Sequence, residues 1–191
     1  TGAIETSTKE DLGDNAELVI HWGANTVSQA ATLKHVERAK RRGARIVVID
    51  VRRSEASALA DEVILVRPGT DAALALAMMH VIIKDHACDM SFVENHTVGF
   101  DALVRHVTSK TPHWGEAQTG VPHTQITSLA RDYAKTRPAM IVMGGSSLHK
   151  GANTWQAARA ITCLPALTGN YGKAGGGIGP RHGGRSHGAG F

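Results

Sequence analysis

Apolar and polar positions along this chain follow two periods, and the switches between them mark its elements. Short β-branched or apolar runs at residues 18–20, 45–51, 62–66 and 139–143 have the length and character of buried strands. Between them the spacing lengthens to that of helices. Residues 27–42 set Ala30, Ala31, Leu33 and Val36 on one face among lysines and arginines, and Gly43 is placed to end that helix. A longer helix through Lys84 starts at Thr70 or Asp71 and carries Leu74, Leu76, Ala77, Met78, Val81 and Ile82 on its apolar face. Shorter helical segments are predicted at residues 8–12, 54–59, 91–96 and 100–108. Thr111 caps another that ends near Gly120, and Pro122 sits in the first turn of a helix through Lys135. A final helix covers residues 154–167. Strands separated by helices, with no hairpin-length turns, define an α/β fold: a Rossmann-like parallel sheet flanked by helices.

The pattern breaks at Gly169. From there to Gly190, 10 of 22 residues are glycine. That density argues against regular structure and leaves a disordered tail or a loop moulded around a ligand. The predicted organisation is therefore an α/β domain over residues 1–168 and a glycine-rich carboxy-terminal loop over 169–191.

Composition narrows the classes. The 191 residues are 42% hydrophobic and 20% charged, which is ordinary for a single globular domain. Aromatics at 4% are too few for a stacking platform, so no nucleic-acid partner is expected. The formal charge of +4 suits a phosphate-rich small ligand equally well. No apolar run approaches the roughly 20 residues of a membrane span. Cys88 and Cys163 form no CxxC pair, so neither a zinc site nor an iron–sulfur cluster is expected from this chain alone; Cys163 reads as a small core residue. The 11 histidines show no HExxH and no pair at ligand spacing beside a carboxylate, so no metal ligand is assigned. Ser146 and Ser147 follow a strand, but the Gly-x-Ser-x-Gly of a nucleophile elbow is missing, which disfavours a hydrolase.

The strand ends hold the candidate chemistry. Gly23, Ala24 and Asn25 lie between a strand and a helix, where backbone N–H groups and the helix dipole can face a phosphate; an ordinary βα turn reads the same way. Asp50 ends the second strand, where a carboxylate can accept from ribose hydroxyls, and Arg52 beside it can meet phosphates. Asp71 either caps its helix or offers two oxygens to the paired N–H donors of guanine, which adenine lacks. Gly144, Gly145 and Ser146 follow the last long strand, with His149 beside them.

Together these segments resemble the molybdopterin oxidoreductases of the dimethyl sulfoxide reductase and formate dehydrogenase type. The matching words are Trp22-Gly23-Ala24-Asn25, Val47 through Glu55, Ala60-Asp61 leading to Pro68-Gly69-Thr70-Asp71, Ala75 through Ile83, Phe92-Val93 through Gly99-Phe100, Thr119 through Pro122, and Leu167 through Gly177. They run nearly end to end in the family's order. The resemblance implies a bis(molybdopterin guanine dinucleotide) cofactor carrying molybdenum or tungsten, used for two-electron redox or oxygen-atom transfer on a small-molecule substrate. It also implies an electron-transfer partner for the full-length protein. On this reading Gly23, Ala24 and Asn25 face a pyrophosphate, Asp50 and Arg52 a ribose and its phosphates, and Asp71 the guanine, with Gly69 also in the cofactor-binding set. Gly144, Gly145, Ser146 and His149 would lie against a pterin, and the loop from Gly169 and Asn170 onward would wrap it.

Two departures stand out: the family's Asn-Pro is Asn25-Thr26 here, and its Asp-Pro-Arg is Asp50-Val51-Arg52. Each loses a proline's rigidity but no ligand atom. The family's metal ligand, its cysteines for a [4Fe–4S] centre and its carboxy-terminal barrel match nothing in this sequence. The expectation is a central piece of a longer polypeptide, inactive alone, with residues 173–191 mobile. An alternative is a non-catalytic relative of the same fold that serves as an electron-transfer or structural subunit. A nicotinamide-dependent dehydrogenase would require the GxGxxG that is absent here.

Overall fold

In the computed structural model, residues 6–145 and 154–180 are described. The chain enters through α1 (Lys9–Asn15), opened by a reciprocal Thr8–Asp11 capping box. Next come β1 (Leu18–Trp22), α2 (Ala30–Arg41), β2 (Arg45–Asp50) and β3 (Glu62–Leu65). Five helices follow: α3 (Asp71–Lys84), α4 (Met90–His96), α5 (Phe100–Val107), α6 (Pro112–Thr119) and α7 (His123–Lys135). The chain then returns through β4 (Ala139–Met143), α8 (Thr154–Leu167) and β5 (Gly177–Ile178).

The five strands form one sheet in the order β3-β2-β1-β4-β5, and every pairing is parallel. The chain winds outward from β1 in both directions. The carboxyl ends of β1 and β4 are thus the switch point at which doubly wound sheets leave a crevice. Strand residues alternate between two covered faces, as period 2 dictates. Leu18, Ile20, Trp22, Val47, Ile49 and Ile141 pack toward α3, α7 and α8. Val19, Ile46, Met140 and Val142 pack toward Leu12 of α1 and Val36 and Ala39 of α2. All five residues of β1 are buried, each apolar side chain contributing about 1.5–3 kcal/mol, so a charge at Ile20 would break the sheet at its centre.

The α/β architecture is the one the periodicity predicts, with two corrections. The helix expected from residue 27 begins at Ala30, because Thr26–Ser28 first forms a 3-10 turn. Residues 169–180 are not a loose loop either. β5 pairs with β4, and the backbone N–H groups of Thr6 and Ser7 both donate to the Ile178 carbonyl. Gly175, at φ +79°, lies so close to α1 that an added Cβ would stand 2.6 Å from the Asn15 carbonyl carbon. Here glycine permits close packing, so density of glycine did not mean disorder. The division expected at residue 169 would therefore separate β5 from the rest of the sheet; residues 181–191 lie outside the described residues.

Candidate nucleotide-binding edge

Three of the predicted residues converge on the carboxyl edge of the sheet. Trp22 ends β1 level with Ile49 of β2, and Asp50 is level with Leu65 of β3. Beyond β3, Thr70 N–H and its hydroxyl both bond the Arg67 carbonyl, at 3.2 and 2.7 Å. This closes the turn through Pro68 and Gly69 that delivers Asp71 to the first turn of α3. Gly69, at φ +79°, supplies the left-handed residue such a turn needs at its third position.

Asp71 is not the helix cap. Its Oδ1 accepts a 2.9 Å bond from the indole N–H of Trp22, which is fully buried. That bond fixes the carboxylate at the positive end of α3 and engages one of its two oxygens. Asp50 uses Oδ1 to accept from the N–H groups of Val51 and Arg52, at 2.7 and 3.3 Å, which turns the chain sharply out of β2.

At the same edge, Asn25 donates through Nδ2 to Glu55 Oε2 at 2.6 Å, and Arg52 stands 3.6 Å from the same oxygen. The Glu55 carboxyl is held below the usual carboxylate range by its own backbone N–H, then by the Asn25 amide, then by the Arg52 charge. This pairing ties the 3-10 turn at Thr26–Ser28 to a second one at Glu55–Leu59. Four buried polar atoms in these loops, Asn25 Oδ1, Thr26 Oγ1, Ser54 Oγ and Ser57 Oγ, have no hydrogen-bond partner among the described residues. Buried polar atoms of this kind are ordinarily met by protein, ordered water or a ligand.

Gly23, at φ +59°, donates its N–H to the Ile49 carbonyl at 2.7 Å, and Gly144 donates to the Trp22 carbonyl at 2.9 Å. Gly23, Ala24, Gly144 and Gly145 therefore border the switch point. Ser146 and His149 lie outside the described residues.

Gly169 and Asn170 must be removed from this set. Asn170 is fully buried at the opposite, amino edge: its Oδ1 accepts from Ala139 N–H at 2.9 Å, at the start of β4, and its Nδ2 donates to Thr168 Oγ1 at 2.8 Å. Gly169, at φ +62°, turns the chain against Asp89 beneath α8. Both serve the fold, because α8 runs back from the carboxyl edge before Gly169 is reached.

Residues missed in the sequence include Trp22, Ser54, Ser57 and Glu55. Trp22 is 49 residues from Asp71, and only the fold brings them together. The histidine reading is also corrected, since His113, Glu116 and His123 lie with one potential ligand atom each within 4.8 Å of one another. Cys163 is only partly buried and lines an apolar cavity of about 510 Å³ between α3, α5 and α8, which contains none of the edge residues.

A doubly wound parallel sheet of this order defines a class of domain that leaves a crevice at the carboxyl edge of its strands. The chain belongs to the molybdopterin oxidoreductase family, whose model matches residues 3–189. It is similar to formate dehydrogenase H of Escherichia coli (strain K12), at 39% identity over 95% of this chain and 25% of the relative. Similarity of the same order links it to the probable oxidoreductase YoaE of Bacillus subtilis (strain 168), at 39% identity over 85% of this chain and 24% of the relative. The dimethyl sulfoxide reductase DmsA of E. coli is 35% identical, over 95% of this chain and 25% of the relative. Among solved structures, the acetylene hydratase of Pelobacter acetylenicus superposes with a TM-score of 0.77 at 30% identity, covering 83% of this chain and 22% of that one. The chain spans about a quarter of the length of these relatives.

Proposed function

We propose that this chain holds one guanine dinucleotide arm of a bis(molybdopterin guanine dinucleotide) cofactor bearing molybdenum or tungsten. The protein that carries it performs two-electron redox or oxygen-atom transfer on a small substrate and exchanges electrons with a partner redox centre. The observation that supports this best is the Trp22–Asp71 bond at a sheet edge shared with Asn25 and Asp50. A carboxylate locked by a buried indole, with an oxygen to spare, is suited to paired N–H donors of a purine base. Guanine offers such a pair and adenine does not.

The unpaired oxygens of Asn25, Thr26, Ser54 and Ser57 fit the same reading, because a diphosphate and its ordered waters can satisfy them. Gly23 and Ala24 allow close backbone approach there. Asp50 keeps Oδ2 for a ribose hydroxyl, and Arg52 supplies charge to the phosphates. Gly144 and Gly145, with Ser146 and His149, border the pterin. When bound, the pterin-held metal supplies the redox chemistry; residues of this chain bind and orient. That the matched relatives include reductases, dehydrogenases and a hydratase by name agrees with a domain that secures a cofactor without choosing the reaction. The chain alone is therefore expected to turn over no substrate.

The test is Asp71→Asn in the full-length protein, with guanine nucleotide and metal measured after purification. Loss of one charge-assisted pair, about 1.5–3 kcal/mol, should lower guanine nucleotide retention roughly 10- to 150-fold. Retention equal to wild type overturns the assignment, and a wild-type protein free of pterin and metal favours the non-catalytic alternative.

A further inference from the structure

We propose that His113, Glu116 and His123 form a binding site for a late first-row divalent cation, Zn²⁺ foremost, which clips α6 to α7. The proposal rests on geometry alone and is independent of the nucleotide reading. His113 and Glu116 are three residues apart and share a face of α6. Gly120, at φ +78°, ends α6 and reverses the chain, so that His123, the first residue of α7, comes back over Glu116. His123 Nδ1 stands 2.7 Å from Glu116 Oε2, which also accepts the His123 backbone N–H at 3.2 Å. The His113 ring takes no part in that bond, yet it lies against His123 with ring centroids 4.0 Å apart. One ligand atom from each of the three residues falls within 4.8 Å of the others.

Two imidazoles and one carboxylate are the ligand set of a three-protein-ligand zinc site, with a fourth position left for water. Imidazole nitrogens favour Zn²⁺ and its neighbours over Mg²⁺ or Ca²⁺. The Glu116 carboxylate already meets both the ring and the backbone N–H of His123, so it faces the space between the two imidazoles. The frame is rigid. Thr111 caps α6 through Trp114 N–H, and Gly115 packs so tightly that an added Cβ would lie 2.7 Å from Ala77 Cβ and 2.9 Å from Ile126 Cδ1. Arg67 grips the Ala117 and Gln118 carbonyls at 2.8 and 3.2 Å. Small side-chain rotations therefore suffice to converge the ligands, while the backbone stays in place. The same Arg67 anchors the turn that leads to Asp71, so a cation here would stiffen the wall behind that residue.

The experiment titrates the metal-stripped protein with Zn²⁺ against a competing chelator, and with Co²⁺ followed by visible absorbance. Wild type should bind one cation at this site, with the intense bands of four-coordinate Co²⁺. His113→Ala, His123→Ala and Glu116→Gln should each weaken that binding by no less than the roughly 10–100-fold that loss of an outer-shell partner costs. Absence of saturable binding, or an affinity unchanged in both histidine variants, overturns the proposal; in the latter case the metal is held by other histidines. Should His123→Ala fail to fold, His113→Ala decides, because His113 is exposed.

Discussion

Two asparagines at opposite edges of the sheet show what separates a ligand-binding amide from a structural one. Asn25, at the carboxyl edge, satisfies Nδ2 on Glu55 but leaves a buried Oδ1 unpaired among the described residues. Asn170, at the amino edge, spends its oxygen on Ala139 and its nitrogen on Thr168. Both follow a glycine within two residues, and both lie in stretches that resemble the same family. Chemistry of the residue cannot tell them apart; the state of its second polar atom can. A buried amide that the fold saturates has no capacity for a ligand, whereas one that the fold leaves half-paired keeps an atom for water or a ligand.

The contrast can be broken most severely at Asn170. Replacing it with alanine orphans the Ala139 N–H at the root of β4 and removes the Thr168 contact. At about 1–3 kcal/mol for each stranded group, the loss should be near 3 kcal/mol in urea unfolding. A wild-type midpoint would mean that the amino edge tolerates an unpaired group after all. Asn25→Ala should cost less, since the exposed bond to Glu55 that it removes is worth about 0.5–1.5 kcal/mol. Cofactor retention should fall about 5- to 12-fold, the worth of one hydrogen bond of about 1–1.5 kcal/mol. Loss of stability without loss of retention would place Asn25 with Asn170.

The smallest effect is in titration. Because the Glu55 carboxyl is lowered in the folded state, what it adds to stability is complete above the ordinary carboxylate range and is lost as pH falls through the lowered value. Carboxyl NMR should show the Glu55 midpoint rising toward the ordinary range in Asn25→Ala, since one of its three supports is gone. An unmoved midpoint would assign the shift to the backbone N–H and Arg52 alone.

Much of the fold was legible because burial writes itself locally. Ile46 through Ile49 can form only a two-faced strand, Thr111 and Gly120 bracket α6 as their chemistry requires, and the run of helices between strands imposes parallel pairing. The same local logic failed from residue 169 onward, where glycines that permit backbone-to-backbone contact look identical in sequence to glycines that confer freedom. It failed again at His113, Glu116 and His123, whose spacing matches no linear motif until Gly120 reverses the chain.

Sequence by itself determined the alternation of strand and helix, the family, and the three strand ends that carry Asn25, Asp50 and Asp71, because each depends on side-chain period or on neighbours close in the chain. Only the tertiary structure decided that Trp22 holds Asp71, that Asn170 belongs to the scaffold, and that two histidines meet over one carboxylate. Those facts depend on which polar atoms remain unpaired once distant segments are packed together, and that is settled in space.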